Sequence, residues 1–220
     1  MSKYNNGMET QQNILAVCRE MFYEKGYEKT TFKDISEKLS IRQSAIHYHF
    51  KSKENILSII YAESVAKNND LVEFYSDRST TFLAKLFFDL YIWLYKIFKD
   101  EKYRRFYLSA TKYRFTSTSF LRNDTSRFNY SMYHQNEKII VPEEEDLFNR
   151  MACSGFDQSV LVYIDTNIGS TNIDYIYKNV IHIYAKILDI EEKYVNSALK
   201  EVSVMSDRCK WDTIDTSLSL

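Results

Sequence analysis

Helix breakers are nearly missing from this chain, which has four glycines and one proline in 220 residues. With 45% hydrophobic residues recurring at helical spacing, that scarcity predicts an all-α protein. Gly7, Gly26, Gly155 and Gly169 are too far apart to build a glycine-rich phosphate cradle. Cysteine is scarce too. Cys18, Cys153 and Cys209 are odd in number and scattered, which excludes a disulfide framework and leads us to expect free thiols in a reducing compartment. Long apolar runs are also lacking: the longest, residues 86–98, is interrupted by Asp89 and Lys96 and is too short to span a bilayer. The polar start Met1-Ser2-Lys3-Tyr4-Asn5-Asn6 does not fit a secretory signal, so the expected location is cytoplasmic.

What is present concentrates first in residues 31–53. Ile35 and Leu39 lie four apart, and Ile41, Ala45 and Ile46 make a second apolar stripe just beyond Ser40. Two short helices can therefore share one small core. Thr31 is placed to N-cap the first, and Asp34 three residues later suits both a capping box and the positive end of the helix dipole. The connection Leu39-Ser40-Ile41 has no glycine, and the second helix must begin within two or three residues, as in a helix-turn-helix. Its outer side carries Arg42, Gln43, Ser44, His47 and Tyr48, groups that can pair with base edges or phosphate oxygens. Formal net charge is −1 overall, yet residues 1–53 hold nine Lys or Arg against six Asp or Glu, a local +3 that leaves −4 for the remainder. A basic head suits a polyanion. The alternative, a purely structural trihelical unit or a protein dock, does not require Arg42, Gln43, Lys51 and Lys53 on the outside.

Over roughly residues 10 to 60 the chain resembles the TetR family of bacterial transcriptional regulators, named for the tetracycline repressor. The resemblance is carried by Ile14, Leu15, Phe22, Glu24, Gly26 and Tyr27, by Thr30-Thr31 with Asp34-Ile35, and above all by Tyr48-His49-Phe50-Lys51-Ser52-Lys53-Glu54 with Leu57. It departs at Ser40, where the family usually has Gly, at Ser44, often Gly or Pro, at Ser36, usually Ala, and at His47, usually Tyr. The resemblance implies an N-terminal three-helix helix-turn-helix (homeodomain-like) DNA-binding domain over 1–53 and a helical ligand-binding and dimerisation domain over 54–220. It also implies a homodimer on double-stranded DNA, its recognition helices entering successive major grooves of a palindromic operator roughly 34 Å apart. A small-molecule inducer, whose identity the resemblance does not give, would release this repressor. Arg42, Gln43, Ser44 and His47 are then the base contacts, and Thr31, Lys33, Tyr48, His49 and Lys53 the backbone contacts. Histidine at position 47 implies an altered sequence preference. The alternative within the family is an activator that answers to a protein partner and has no small-molecule cavity.

Beyond residue 53, a helix led by Ser52 as N-cap shows Ile56, Leu57, Ile60, Tyr61 and Val65 at spacings of three and four. It should link head to body. A long helix over 79–99 leaves only a narrow polar stripe, and residues 102–135 read as two helices divided near the Thr-Ser-Thr-Ser run at 116–119. Pro142 at a first helical position with the acids at 143–146 marks another start, which explains those acids more simply than a metal site does. The helices over 142–165 and 172–189 could form half of an intersubunit four-helix bundle. A final helix over 191–206 precedes a polar tail.

Aromatics crowd one region: 18 of the chain's 34 Phe, Tyr and Trp fall between Phe74 and Tyr133. Two readings stand. The rings are core packing, or they wall an inducer cavity with Tyr hydroxyls as polar contacts, for which Trp93, Tyr103, Tyr107 and Tyr133 are the candidates. Arg104, Arg105, Lys112 and Arg114 nearby read either as a solvated cationic face or as attraction for an anionic ligand. His47 and His49, two apart on a helix, point roughly 200° away from each other and cannot share one metal ion. No nucleophile with a matching base is recognisable, so no enzyme and no cofactor are expected.

Overall fold

The computed structural model describes residues 3–114, 137 and 139–218, and every regular element among them is helical. Helix α1, Lys3–Glu24, starts ahead of the first strong apolar residue because nothing in the polar lead breaks it. It buries Ile14, Leu15, Cys18 and Phe22. The chain then leaves through Gly26 at φ +92°, a conformation that only glycine adopts cheaply.

Helix α2, Phe32–Leu39, begins at the expected capping box: the Thr31 hydroxyl accepts from the Asp34 amide while the Asp34 carboxylate accepts from the Thr31 amide. Ser40 supplies the missing turn glycine by adopting the left-handed region itself, at φ 53° and ψ 38°. Its own amide and that of Ile41 donate back to the Glu37 and Ser36 carbonyls, closing the last turn of α2. Helix α3 is Gln43–Phe50, and Ile35, Ile46 and Phe50 seal the small core between the two.

Helix α4, Lys53–Tyr75, is N-capped by Ser52 as expected and runs from the head into the body. Helix α5, Phe82–Lys99, capped by Thr81, lies at the centre of the body. Around it pack α4, α6 (Glu101–Arg114), α8 (Ile173–Ile187) and α9 (Glu192–Arg208). The narrow polar stripe expected on α5 is not solvated: its Asp89 and Lys96 are 4% and 3% exposed. Neighbours bury even these two charged positions, while Lys85 and Lys99 keep access to solvent.

Helix α7, Glu143–Asn167, starts one residue later than expected, with Pro142 as the cap and not the first helical residue. Asn172 caps α8 by accepting from the Tyr175 amide. The second helix expected within 102–135, and Tyr133 with it, lie outside the described residues. The expected polar tail is no free tail: Trp211–Thr213 form a 3₁₀ turn, and Leu218 is buried. No helix among the described residues is long and apolar enough to cross a membrane.

Candidate nucleic-acid interface

The outer side of α3 is built by its inner side. Burying Ile46 and Phe50 leaves Arg42, Gln43, Ser44, His47 and Tyr48 exposed. Arg42 is the N-cap residue yet makes no side-chain cap bond, so its guanidinium is available to a groove. Gln43 and Ser44 occupy the first helical turn, the part of a recognition helix that reaches base edges. His47 follows one turn on. Its ring stands edge-on to Phe32 at 4.6 Å between centroids, and its Nδ1 lies 3.3 Å from the Lys51 carbonyl. Tyr48 is 84% exposed, with His49 half-buried beside it. A large aromatic ring held this far out of a core has no packing role.

Among the expected backbone contacts, Thr31 is exposed, although its hydroxyl also serves the capping box and donates to Asp34 Oδ2 at 2.8 Å. Those bonds, led by the one from the Thr31 amide, hold the Asp34 carboxyl below the usual carboxylate range. Lys33 is exposed and only loosely paired with Glu37, at 3.8 Å. Such a pair is weak and yields readily to a phosphate.

Lys53 has internal partners that its expected role does not include. Its ammonium turns inward, donating to the Tyr27 and Thr30 carbonyls at 2.9 and 2.8 Å, and sits 4.2 Å from the centre of the Tyr27 ring. Burial lowers its pKa, with Glu54 and Glu28 acting in the opposite sense. Next to it, Glu54 accepts from the Tyr27 hydroxyl at 3.2 Å. Two consecutive residues of α4 thereby clamp the α1–α2 loop, which accounts physically for the pairing of Gly26-Tyr27 with Lys53-Glu54 in the motif. Lys51, by contrast, is exposed at φ 58° and ψ −46°, inside a tight turn in which the Ser52 amide donates to the Phe50 carbonyl. A lysine in a strained γ-turn at the rim of an interface is the kind of outlier that marks a functional position. Only local backbone geometry reveals it.

The head is also tied to the body by polar contacts between distant residues. Arg19 of α1, 6% exposed, makes a two-pronged pair with Glu63 of α4 at 2.9 and 3.0 Å. From α6, Arg105 donates to the Tyr23 and Glu24 carbonyls, satisfying the otherwise open end of α1. Ser109 donates to Glu28, and Lys102 pairs with Glu24 at 2.6 Å. The expectation of a solvated cationic face therefore fails for the two arginines: Arg104 is buried, bound to Asp165 and to the Ile97 carbonyl. Each has an internal acceptor that its sequence position gave no means of foreseeing.

The three described candidates for a ligand cavity are deep in the body. Tyr103 and Tyr107 are fully buried and Trp93 is 2% exposed. The two tyrosine rings lie 4.7 Å apart, and both hydroxyls are 3.2 Å from Ser64 Oγ of α4. Nearby, Lys96 donates to Asn68 Oδ1 at 2.9 Å, while Asn68 Nδ2 is buried with no hydrogen-bond partner among the described residues. All three side chains are buried, and a polar seam runs beside them.

Residues 14–59 match the family of bacterial regulatory proteins, tetR family. Over 144 residues the chain is 28% identical to the biofilm operon icaADBC HTH-type negative transcriptional regulator IcaR of Staphylococcus epidermidis, covering 59% of this chain and 71% of that protein. It is 27% identical over 135 residues to the IcaR of Staphylococcus aureus strain Newman, covering 57% and 69%. Among solved structures, the fatty acid degradation regulator FadR from Bacillus halodurans aligns with a TM-score of 0.47 and 14% identity over 83% of this chain and 96% of that one. With its exposed α3, the head of this chain matches over residues 14–59 the tetR family of bacterial regulatory proteins, and the chain is a DNA-binding transcriptional regulator of that type.

Proposed function

We propose that this regulator is a cytoplasmic repressor, a homodimer that sits on a palindromic operator and leaves it when a small molecule enters the body. The observation that carries the DNA-contact assignment is the side of α3 that its core leaves outside. Arg42, Gln43, Ser44 and His47 read base edges from the first two turns, while Thr31, Lys33, Tyr48, His49 and the strained Lys51 hold phosphates. Lys53, whose donors already serve two carbonyls, holds the reading helix in register instead of touching DNA. The 1–53 head and 54–220 body are the units of this mechanism. The two IcaR relatives are negative transcriptional regulators, which supports the sign of control.

Two features support the rest. Val162 and Tyr163 of α7 and Tyr175 of α8 are exposed apolar or aromatic side chains on the helix pair expected to face a second copy. The seam of Ser64, Asn68, Lys96, Tyr103 and Tyr107 puts hydrogen-bonding groups among apolar walls, the chemistry of a small-molecule site. Only an effector that binds the DNA-free arrangement more tightly can drive release.

Selection of genomic fragments with the purified protein should return one palindromic duplex, bound by a dimer in light scattering. A monomer that enriches no sequence would overturn the proposal. On that duplex, Arg42→Ala or Gln43→Ala should relax base preference at a cost of about 1–3 kcal/mol, and Lys51→Ala should weaken all sequences alike with a salt slope smaller by about one unit. Lys53→Met separates the two roles for that lysine: lower head stability with the salt slope unchanged fits the clamp, and the reverse fits a phosphate contact.

A further inference from the structure

After α9 the chain turns back across the body and reaches the joint with the head. Trp211 lies against three rings of α5, at 6.0 Å from Phe88, 5.1 Å from Tyr91 and 5.0 Å from Tyr95. Its carbonyl accepts from the Tyr95 hydroxyl at 2.9 Å, and its indole N–H donates to the Ser206 carbonyl at 3.1 Å. Farther along, Leu218 is 5% exposed. Between these two anchors the Thr216 hydroxyl donates to Asp100 Oδ2 at 2.7 Å.

That oxygen is shared. The Tyr23 hydroxyl of α1 donates to the same Asp100 Oδ2, while Asp100 Oδ1 accepts the Lys102 and Tyr103 amides at 2.8 and 3.1 Å and so caps α6. One carboxylate joins head, body and C-terminal segment. Hydrogen bonds to an ionised acceptor are about twice as strong as neutral ones, and two hydroxyls on one oxygen constrain each other's direction. Asp100 is also the C-cap residue of α5, so a shift of α5 reaches α1 directly through Asp100 and Tyr23, and the bond from Thr216, anchored through Trp211 on the same helix, fixes the direction of that contact.

We propose that residues 210–218 form a strap that sets the angle of the DNA-reading head, with Thr216 and Asp100 as positioning residues. This rests on the assignment of α3 as the DNA-contacting helix. The strap grips the central helix of the body at one end and the anchor of α1 at the other, so its tension is a property of the body's conformation that the head feels directly. A strap that only covers apolar surface on α5 would need Trp211 and Leu218 but not a hydroxyl at position 216.

The full chain, spin-labelled at Lys29→Cys and Glu192→Cys and diluted with unlabelled protein, gives the head-to-body distance distribution without DNA. Thr216→Val should broaden that distribution and weaken binding to the duplex selected by the wild-type protein about fivefold, with little change in melting temperature. Thr216→Ser should restore both, and Tyr23→Phe combined with Thr216→Val should be less than additive, because both act through one oxygen. An unchanged distribution in Thr216→Val and in Tyr23→Phe overturns the strap. A broadened distribution with unchanged duplex affinity overturns its role in DNA binding. Failure of the wild type to select any duplex counts against the DNA assignment alone, since the distance measurement still judges the strap.

Discussion

The head and the body of this regulator are held together by different means. In the head, short-range hydrogen bonds define the shape: a capping box at Thr31 and Asp34, a left-handed turn at Ser40, a γ-turn at Lys51, and a small core around Ile35, Ile46 and Phe50. In the body, α5 is largely enclosed, and large rings such as Phe87, Trp93, Phe106 and Tyr107 interlock across helices. The difference follows from the task. A reading helix needs an exact path for a short chain and a free outer face, which caps and turns supply. A body that must move as a unit needs dense packing, because interlocked cores shift between discrete arrangements instead of deforming gradually.

Four substitutions or conditions would sharpen or break that contrast, the largest effect first. Phe87→Ala empties a fully buried site in the body and should cost about 3–5 kcal/mol in urea unfolding. A cost under about 1 kcal/mol would mean that the rings are not what holds the body. Gly26→Ala should cost roughly 1–2 kcal/mol through backbone strain. The added Cβ would also stand 3.1 Å from Arg105 Nε, so part of the loss should disappear in an Arg105→Ala background.

Ser40→Gly should go the other way. Relief of the left-handed serine is worth about 1–2 kcal/mol and the extra freedom of the unfolded chain costs about 0.4–1 kcal/mol, leaving a gain between about 0 and 1.6 kcal/mol. A loss of stability in thermal unfolding would show that the serine side chain has a role its exposed position does not suggest.

The mildest test is acid. Burial raises the Asp100 carboxyl, but the bonds from Tyr23, Thr216 and the Tyr103 and Lys102 amides outweigh it, so the folded pKa lies below the ordinary value. The stability linked to this group is therefore fully present at neutral pH and fades only as pH falls below the ordinary carboxylate range, through the folded pKa. Asp100→Asn should flatten that part of the pH profile. An unchanged acid limb would mean that the joint contributes little to folding and matters only for the head's orientation.

Much of the head was legible because its rules are local. Thr31, Asp34 and Ser52 act on groups three residues away, so residue type and spacing suffice to place them. The outer side of α3 followed from the apolar spacing of its inner side. At Lys53 the internal partners were not legible: a cation at the start of α4 beside a basic helix reads as a phosphate contact, and nothing nearby in sequence announces the Tyr27 and Thr30 carbonyls to which it donates. In the body, aromatic density was visible, but whether rings enclose space or one another depends on the crossing of four helices. Tyr103 and Tyr107 turned out to meet at Ser64, on the helix that links head to body.

By itself the sequence determined that the chain is helical, where most helices start and stop, and which residues α3 leaves on its outer side. Each of these is settled by groups within about one turn of one another. The tertiary structure alone decided where the long polar side chains end. Arg105 closes α1 from more than 80 positions away, and Thr216 meets Asp100 across 116. Such partners are chosen by which unsatisfied acceptors the packed helices bring within reach, and that depends on every interface at once.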